Sequence, residues 1–130
     1  MNIEISVKSR SKNEFINITQ EVQNVVNKSG IKDGVCYIFV PHTTAGITIN
    51  EAADPDVVED IQQELNKIAP AGGHYRHTEG NSDAHIKSSI TGSSQMVFIE
   101  SGRLKLGTWQ GIFFCEFDGP RNRKIWIKVV

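Results

Sequence analysis

Apolar and polar positions alternate with period two in several stretches of this chain, the pattern of half-buried strands. Over residues 3–8, Ile3, Ile5 and Val7 alternate with Glu4, Ser6 and Lys8. Phe15 and Ile16 mark a second short strand. Thr19 reads as a helix N-cap; Val22, Val25 and Val26 then recur at helical spacing, and Gly30 closes the segment. Val35-Cys36-Tyr37-Ile38-Phe39-Val40 is an unbroken apolar run, which predicts a strand covered on both faces. Residues 47–50 alternate again. Asp54-Pro55 starts a second helix, with a capping Asp and a Pro at the first helical position. Its inward stripe is Val57, Val58, Ile61, Leu65 and Ile68, and Pro70 follows its end. Asn81 or Ser82 caps a short third helix over 83–90, and residues 95–100 read as a further strand.

The remaining stretch, 102–130, organises the rest. Phe113, Cys115 and Phe117 fall on one strand face; Ile112, Phe114, Glu116 and Asp118 fall on the other. Asp118-Gly119-Pro120-Arg121-Asn122 supplies turn chemistry. A last strand follows, with Ile125, Ile127 and Val129 inward. The reading is a final hairpin whose last strand lies inside a sheet. Together the elements predict one α+β domain over residues 1–130 with two to three helices.

Bulk properties narrow the function. A chain of 130 residues holds one hydrophobic core. The formal net charge of −1 gives no global electrostatic case for nucleic acid or an acidic membrane, so phosphate recognition has to come from a local cluster. Cys36 and Cys115 sit within apolar strands and read as buried free thiols. The N-terminal residues lack the apolar region of a signal peptide, and no run is long enough to span a bilayer; a cytoplasmic location is expected.

Two constellations carry chemistry. The first is His42, His74, His77 and His85. Three imidazoles and an oxygen would suit zinc or a similar divalent ion, and the dipole at a helix start favours a neutral His85. The spacing matches no compact zinc motif, so His42 and His85 in one site, with His74 and His77 solvated, is the narrower reading. The second constellation is Arg121, Arg123 and Lys124 near Asp118, with Arg103 and Lys105 earlier. Guanidinium groups grip phosphate and carboxylate bidentately, but the same residues also suit a turn held by its own ion pairs. Spacing does not separate these two readings. Glu51, Asn81, Asp83, Ser88 and Glu116 lie beside apolar segments, where any could orient a histidine or take a proton. Trp109 and Trp126 read as core or subunit interface. The sequence holds no phosphate-binding P-loop, dinucleotide fingerprint or nucleophile elbow.

Four motifs, in order, resemble the YjbQ-like family, also called the secondary thiamine-phosphate synthase enzyme family. They are Pro41-His42-Thr43-Thr44-Ala45-Gly46 through Glu51, Asn81-Ser82-Asp83-Ala84-His85, Gly102-Arg103 through Gly107-Thr108-Trp109-Gln110, and Glu116-Phe117-Asp118-Gly119-Pro120-Arg121. The resemblance implies an α+β fold built on a two-sheet β-sandwich, and a homotrimer packed around its threefold axis. It implies thiamine-phosphate synthase activity, which joins a pyrimidine diphosphate to a thiazole phosphate and releases pyrophosphate, normally with magnesium. By similarity His42, His85, Glu51 and Asn81 would be catalytic. Thr43, Asn50, Asp118 and Arg121 would line the pocket, with Lys105 or Arg123 helping Arg121 hold phosphate. His42 and His85 would be the ligands of a magnesium or zinc ion. A non-catalytic trimer that captures a small molecule, anion or metal is the alternative, and a structural or interaction protein is the third.

Overall fold

The computed structural model describes residues 1–130. The elements run β1 (Asn2–Lys8), β2 (Glu14–Asn17), α1 (Thr19–Ser29), β3 (Asp33–Phe39), β4 (Ala45–Glu51), α2 (Pro55–Ile68), α3 (Ser82–Thr91), β5 (Ser94–Glu100), β6 (Arg103–Leu104), β7 (Gln110–Glu116) and β8 (Asn122–Val129). The strands form two antiparallel sheets, ordered β1-β8-β3-β5-β6 and β2-β7-β4. With three helices this is an α+β fold. No helix is long and apolar enough to cross a membrane.

The main core lies between the sheets. Ile38, Val97, Ile125 and Ile127 from the larger sheet meet Ile47, Ile112 and Phe114 from the smaller one, and Val22, Val25 and Val26 of α1 close the layer. These are the residues that the period-two and helical patterns turn inward. A second cluster joins Leu65 of α2 and Ala84 of α3 to Phe113, Cys115 and Phe117. The central strand β7 is therefore buried on both faces.

The sheet topology corrects the hairpin expected at the C-terminus. β7 and β8 are consecutive but belong to different sheets, so the 117–121 segment crosses from one layer to the other. Both hydrogen-bonding edges of β7 are taken, one by β2 and one by β4, so β8 has no edge of β7 to pair with. Residues 9–13 and 40–44 make the same crossing, from β1 to β2 and from β3 to β4. Hydrogen bonds hold the three crossings together at one end of the sandwich. Ser9 N–H donates to Arg121 O, Gly119 N–H to Lys12 O, and Phe117 N–H to Thr44 O, at 3.0, 3.1 and 3.2 Å.

Four smaller expectations change. β3 is covered on one face only: Cys36 and Ile38 are buried, while Tyr37 and Phe39 are exposed. Ile18, not Thr19, holds the N-cap position of α1, because the Thr19 hydroxyl is tied to β7, accepting from Ile112 N–H at 2.8 Å. Ile68 ends α2 facing water, 60% exposed, at the tip beyond the last strand contact. Trp109 and Trp126 are outside the core, and Trp109 sits on the loop before β7 at 63% exposure. The Asp54-Pro55 start holds: the Asp54 carboxylate accepts from Asp56 N–H at 2.9 Å.

Candidate functional site

The end where the crossings meet is where irregular backbone carries side chains out of the sandwich. Behind it lies a buried ion pair. Arg123 opens β8 and is 5% exposed; Glu116 closes β7 and is fully buried. Arg123 Nε donates to Glu116 Oε1 at 2.8 Å, and Nη2 donates to Glu116 Oε2 and to Thr44 Oγ1, the latter at 2.9 Å. Ser9 Oγ donates to Glu116 Oε1 at 2.7 Å, and the Phe117 and Asp118 N–H groups donate to Oε2. Burial alone would push the Glu116 carboxyl up, but the hydrogen bonds from Arg123, Ser9 and Asp118 outweigh it and hold it below the usual range.

In front of this pair opens a largely polar cleft of about 390 Å³. His42 and Thr43 line it from the β3–β4 crossing, Asp118 and Arg121 from the β7–β8 crossing, and Asn81 and His85 from the start of α3. Pro41, Thr44, Glu79 and Arg123 complete it. Arg121 Nε donates to Asp118 O at 2.8 Å, and its Nη2 to Asp118 Oδ2 at 3.0 Å. Asn81 Nδ2 donates to the same Oδ2 at 3.0 Å, so Asn81 occupies the N-cap position of α3 without capping it. Burial raises the Asp118 carboxyl, but these bonds from Asn81 and Arg121 more than offset that and lower it.

His42 Nε2 accepts from Lys124 N–H at 2.9 Å. Burial, then the nearby Arg123 charge, lowers its pKa, so the ring is neutral at pH 7. A neutral imidazole that accepts at Nε2 carries its proton on Nδ1 and donates there. Both arginines engage Nε and Nη2 within the chain, and neither Nη1 amino group makes a hydrogen bond within it. The cleft thus has free donors on both arginines, and it also holds acceptors: the Glu79 carboxylate, and Asn81 Oδ1, which is buried without a hydrogen-bond partner.

Helix α3 is fixed from behind by groups that sequence reasoning overlooked. Lys87 is buried, and its Nζ donates to Asn13 Oδ1 at 3.1 Å and to Asn66 Oδ1, 5.9 Å from the Phe117 ring centre. Lys12 Nζ pairs with buried Asp83 at 2.6 Å. The sequence held one signal for this: Asp83 and Lys87 are four apart, on one helix face, while His85 lies on another.

The structure gathers seven of the expected site residues: His42, Thr43, Asn81, His85, Asp118, Arg121 and Arg123. It does not bring Asn50, Glu51 or Lys105 to them. β4 rises about 3.3 Å per residue, which puts Glu51 roughly 20 Å from the His42 end of the strand. There Glu51 accepts from Asp54 N–H, Asn50 Oδ1 from Glu51 N–H, and Lys105 pairs with Glu100 at 2.7 Å. His77 packs edge-on to His85, with ring centres 5.5 Å apart, and His74 is exposed outside the cleft.

The donor set does not fit a resident metal ion. No three His, Cys, Asp or Glu side chains are grouped to hold one. The His42 lone pair already accepts from Lys124, and the cleft-facing oxygen of Asp118 is held by Asn81 and Arg121. Both cysteines are free and buried; burial pushes the Cys36 thiol up to about 11 and raises Cys115 as well, so neither offers a thiolate.

Relatives share this architecture. UPF0047 protein YugU of Bacillus subtilis is 51% identical over 97% of this chain and 96% of its own. UPF0047 protein MJ1081 of Methanocaldococcus jannaschii is 51% identical over 95% of this chain and 90% of its own. Among solved structures, a conserved YjbQ/UPF0047 protein from Clostridium acetobutylicum superposes with a TM-score of 0.97 at 58% identity, covering 98% of this chain and 99% of that one. A YjbQ-like protein of Sulfolobus solfataricus, described as of unknown function, keeps a TM-score of 0.95 at 35% identity, over 99% and 95% of the two chains. The family described as UPF0047 protein YjbQ-like matches residues 3–130, and the chain belongs to it.

Proposed function

We propose that the cleft binds the phosphate of a small metabolite. The observation that carries this reading is the pair of Nη1 groups free of partners within the chain, on Arg121 and Arg123, in one largely polar cleft with His42. Arg121 and Arg123 supply charge-assisted donors, His42 and Thr43 neutral ones, and Glu116 and Asp118 hold the arginines in place. The sequence left two readings of the arginines open, an anion grip or self-paired turns. The two are compatible: each guanidinium is held through Nε and Nη2, Arg121 by Asp118 and Arg123 by Glu116 and Thr44, and Nη1 of each makes no hydrogen bond within the chain. No metal bound by this chain is required; a divalent ion carried in on a diphosphate would belong to the ligand.

Group transfer is the stronger form of the same reading. In the thiamine-phosphate synthase reaction the leaving pyrophosphate would take its charge stabilisation from the same donors, with His85 beside it to carry a proton. A turnover assay with the two thiamine precursors tests that form, and binding without turnover leaves the capture module. We further propose that the chain works as a homotrimer, in which neighbouring copies cover the exposed face of Tyr37, Phe39, Met96, Phe98 and Trp126. Buried reduced thiols suit the cytoplasm as its location.

Imidazole nitrogen NMR of the labelled protein tests the binding step. Pyrophosphate should shift the His42 and His85 signals with one saturation curve and leave His74 unmoved. Uniform small shifts of all the histidines would sink the cleft as the site.

A further inference from the structure

The polar cleft does not end at His85. Thr43 and His85 also line a second recess of about 520 Å³, whose other walls are Ser88, Ser89, Gly92 and Ser93. The end of α3 builds it: the helix stops at Thr91, Gly92 turns at φ 87°, and β5 begins at Ser94. A side chain at Gly92 would meet only open space, so bare backbone forms part of the floor.

This recess holds no apolar side chain and no carboxylate or cation of its own. Ser88 Oγ donates to Ala45 O at 2.6 Å, and Ser89 Oγ to His85 O at 3.0 Å. Those two hydroxyls are engaged in holding α3 to β4 and to its own backbone. The Thr43 and Ser93 hydroxyls make no hydrogen bond within the chain and are exposed to the recess. The Gly92 N–H and C=O are engaged with Ser88 O and Ile47 N–H; a hydroxyl both donates and accepts, so a neutral wall with two free hydroxyls matches groups that do the same.

On the other side of His85 lies a different recess, of about 430 Å³, with Tyr75, Arg76, His77 and Ile86 in its wall. Rings and an aliphatic side chain there suit a planar body. That recess shares only His85 with the anion cleft, whereas the serine recess shares both His85 and Thr43. A ligand anchored at Arg121 and Arg123 continues past Thr43 into the serine recess along one unbroken wall.

We infer that the ligand is a phosphate ester of a polyhydroxylated body, a sugar or polyol phosphate, with its hydroxyls against those of Thr43 and Ser93. The inference rests on the anion reading of the cleft.

Calorimetric titration of the full chain with inorganic phosphate, butyl phosphate, ribose 5-phosphate and phenyl phosphate separates the two claims. Ribose 5-phosphate should bind about tenfold or more tighter than both inorganic and butyl phosphate, the gain expected of one or two added neutral hydrogen bonds. Ser93→Val should remove that gain and leave inorganic phosphate affinity unchanged. Equal affinity for ribose 5-phosphate and butyl phosphate would overturn the hydroxylated body while keeping the anion site. So would tightest binding of phenyl phosphate with its gain lost in Tyr75→Ala, which assigns the body to the opposite side of His85. Absence of binding by all four probes would remove the anion site itself and this inference with it.

Discussion

Arg123 has two jobs at the residue scale. Its Nε and Nη2 neutralise Glu116 inside the sandwich, and its Nη1 faces the cleft. Removing one partner of such a buried pair leaves an uncompensated charge, so Arg123→Met should destabilise the fold by about 3–5 kcal/mol in urea unfolding. The Glu116→Gln, Arg123→Met double variant should recover much of that loss. An equal loss in the double variant would show that the charge was not the cause. pH dependence follows from the same groups. The folded pKa of His42 lies below its ordinary 6.5 and that of Glu116 below its ordinary 4.5. Between the folded and unfolded values the unfolded chain binds more protons, so stability falls as pH falls. Urea midpoints should therefore decline below about pH 6.5 and again below about pH 4.5. His42→Gln should flatten the first decline and leave the second. A first decline that persists in this variant would assign it to another group.

Elements show why the sequence revealed some parts of this molecule and hid others. β1, α1 and the start of α2 were legible because each signal was local: alternation, a 3.6-residue stripe, an Asp-Pro start. Sheet membership was not legible. Nothing within residues 110–129 states that β2 and β4 take both edges of β7, so a turn-joined pair of strands read as a hairpin when it crosses between layers. The His42–His85 association and the Arg121 and Asp118 wall were readable as candidates. The grouping depends on all three crossings meeting at one end, a long-range fact. Asn50 was placed in the site by the resemblance alone, Glu51 and Lys105 by residue type as well, and β4 carries the first two to its far end. The 117–121 crossing is tightly built at Gly119, where an added Cβ would lie 2.3 Å from Ser11 O and 2.6 Å from Ser9 Oγ. Gly119→Ala should cost about 1–3 kcal/mol through overpacking and displace Asp118 and Arg121 from the cleft. Thermal unfolding and pyrophosphate titration of that variant should fall together. Loss of stability with binding intact would separate the turn from the site.

The whole molecule presents two unlike surfaces. The outer face of the larger sheet carries Trp126, 49% exposed and stacked on Phe39 with ring centres 5.8 Å apart, beside Tyr37, Met96 and Phe98. Isolated exposed apolar residues are ordinary, but a contiguous sheet face of them calls for a cover. Sedimentation equilibrium should give three times the chain mass, and Trp126→Lys should lower it. A single-chain mass for the unaltered protein would remove the trimer proposal. The other surface is the polar end, and the account as a whole depends on its being an anion site. Calorimetric titration of the chain with pyrophosphate, set beside Arg121→Met, tests this most directly. Arg121 is exposed and pairs only within its own turn, so the variant keeps the buried Arg123–Glu116 pair. The account predicts one saturable site per chain, weakened about tenfold or more in the variant by loss of a charge-assisted donor. No saturable heat from the unaltered protein, or equal affinity in both, would contradict it.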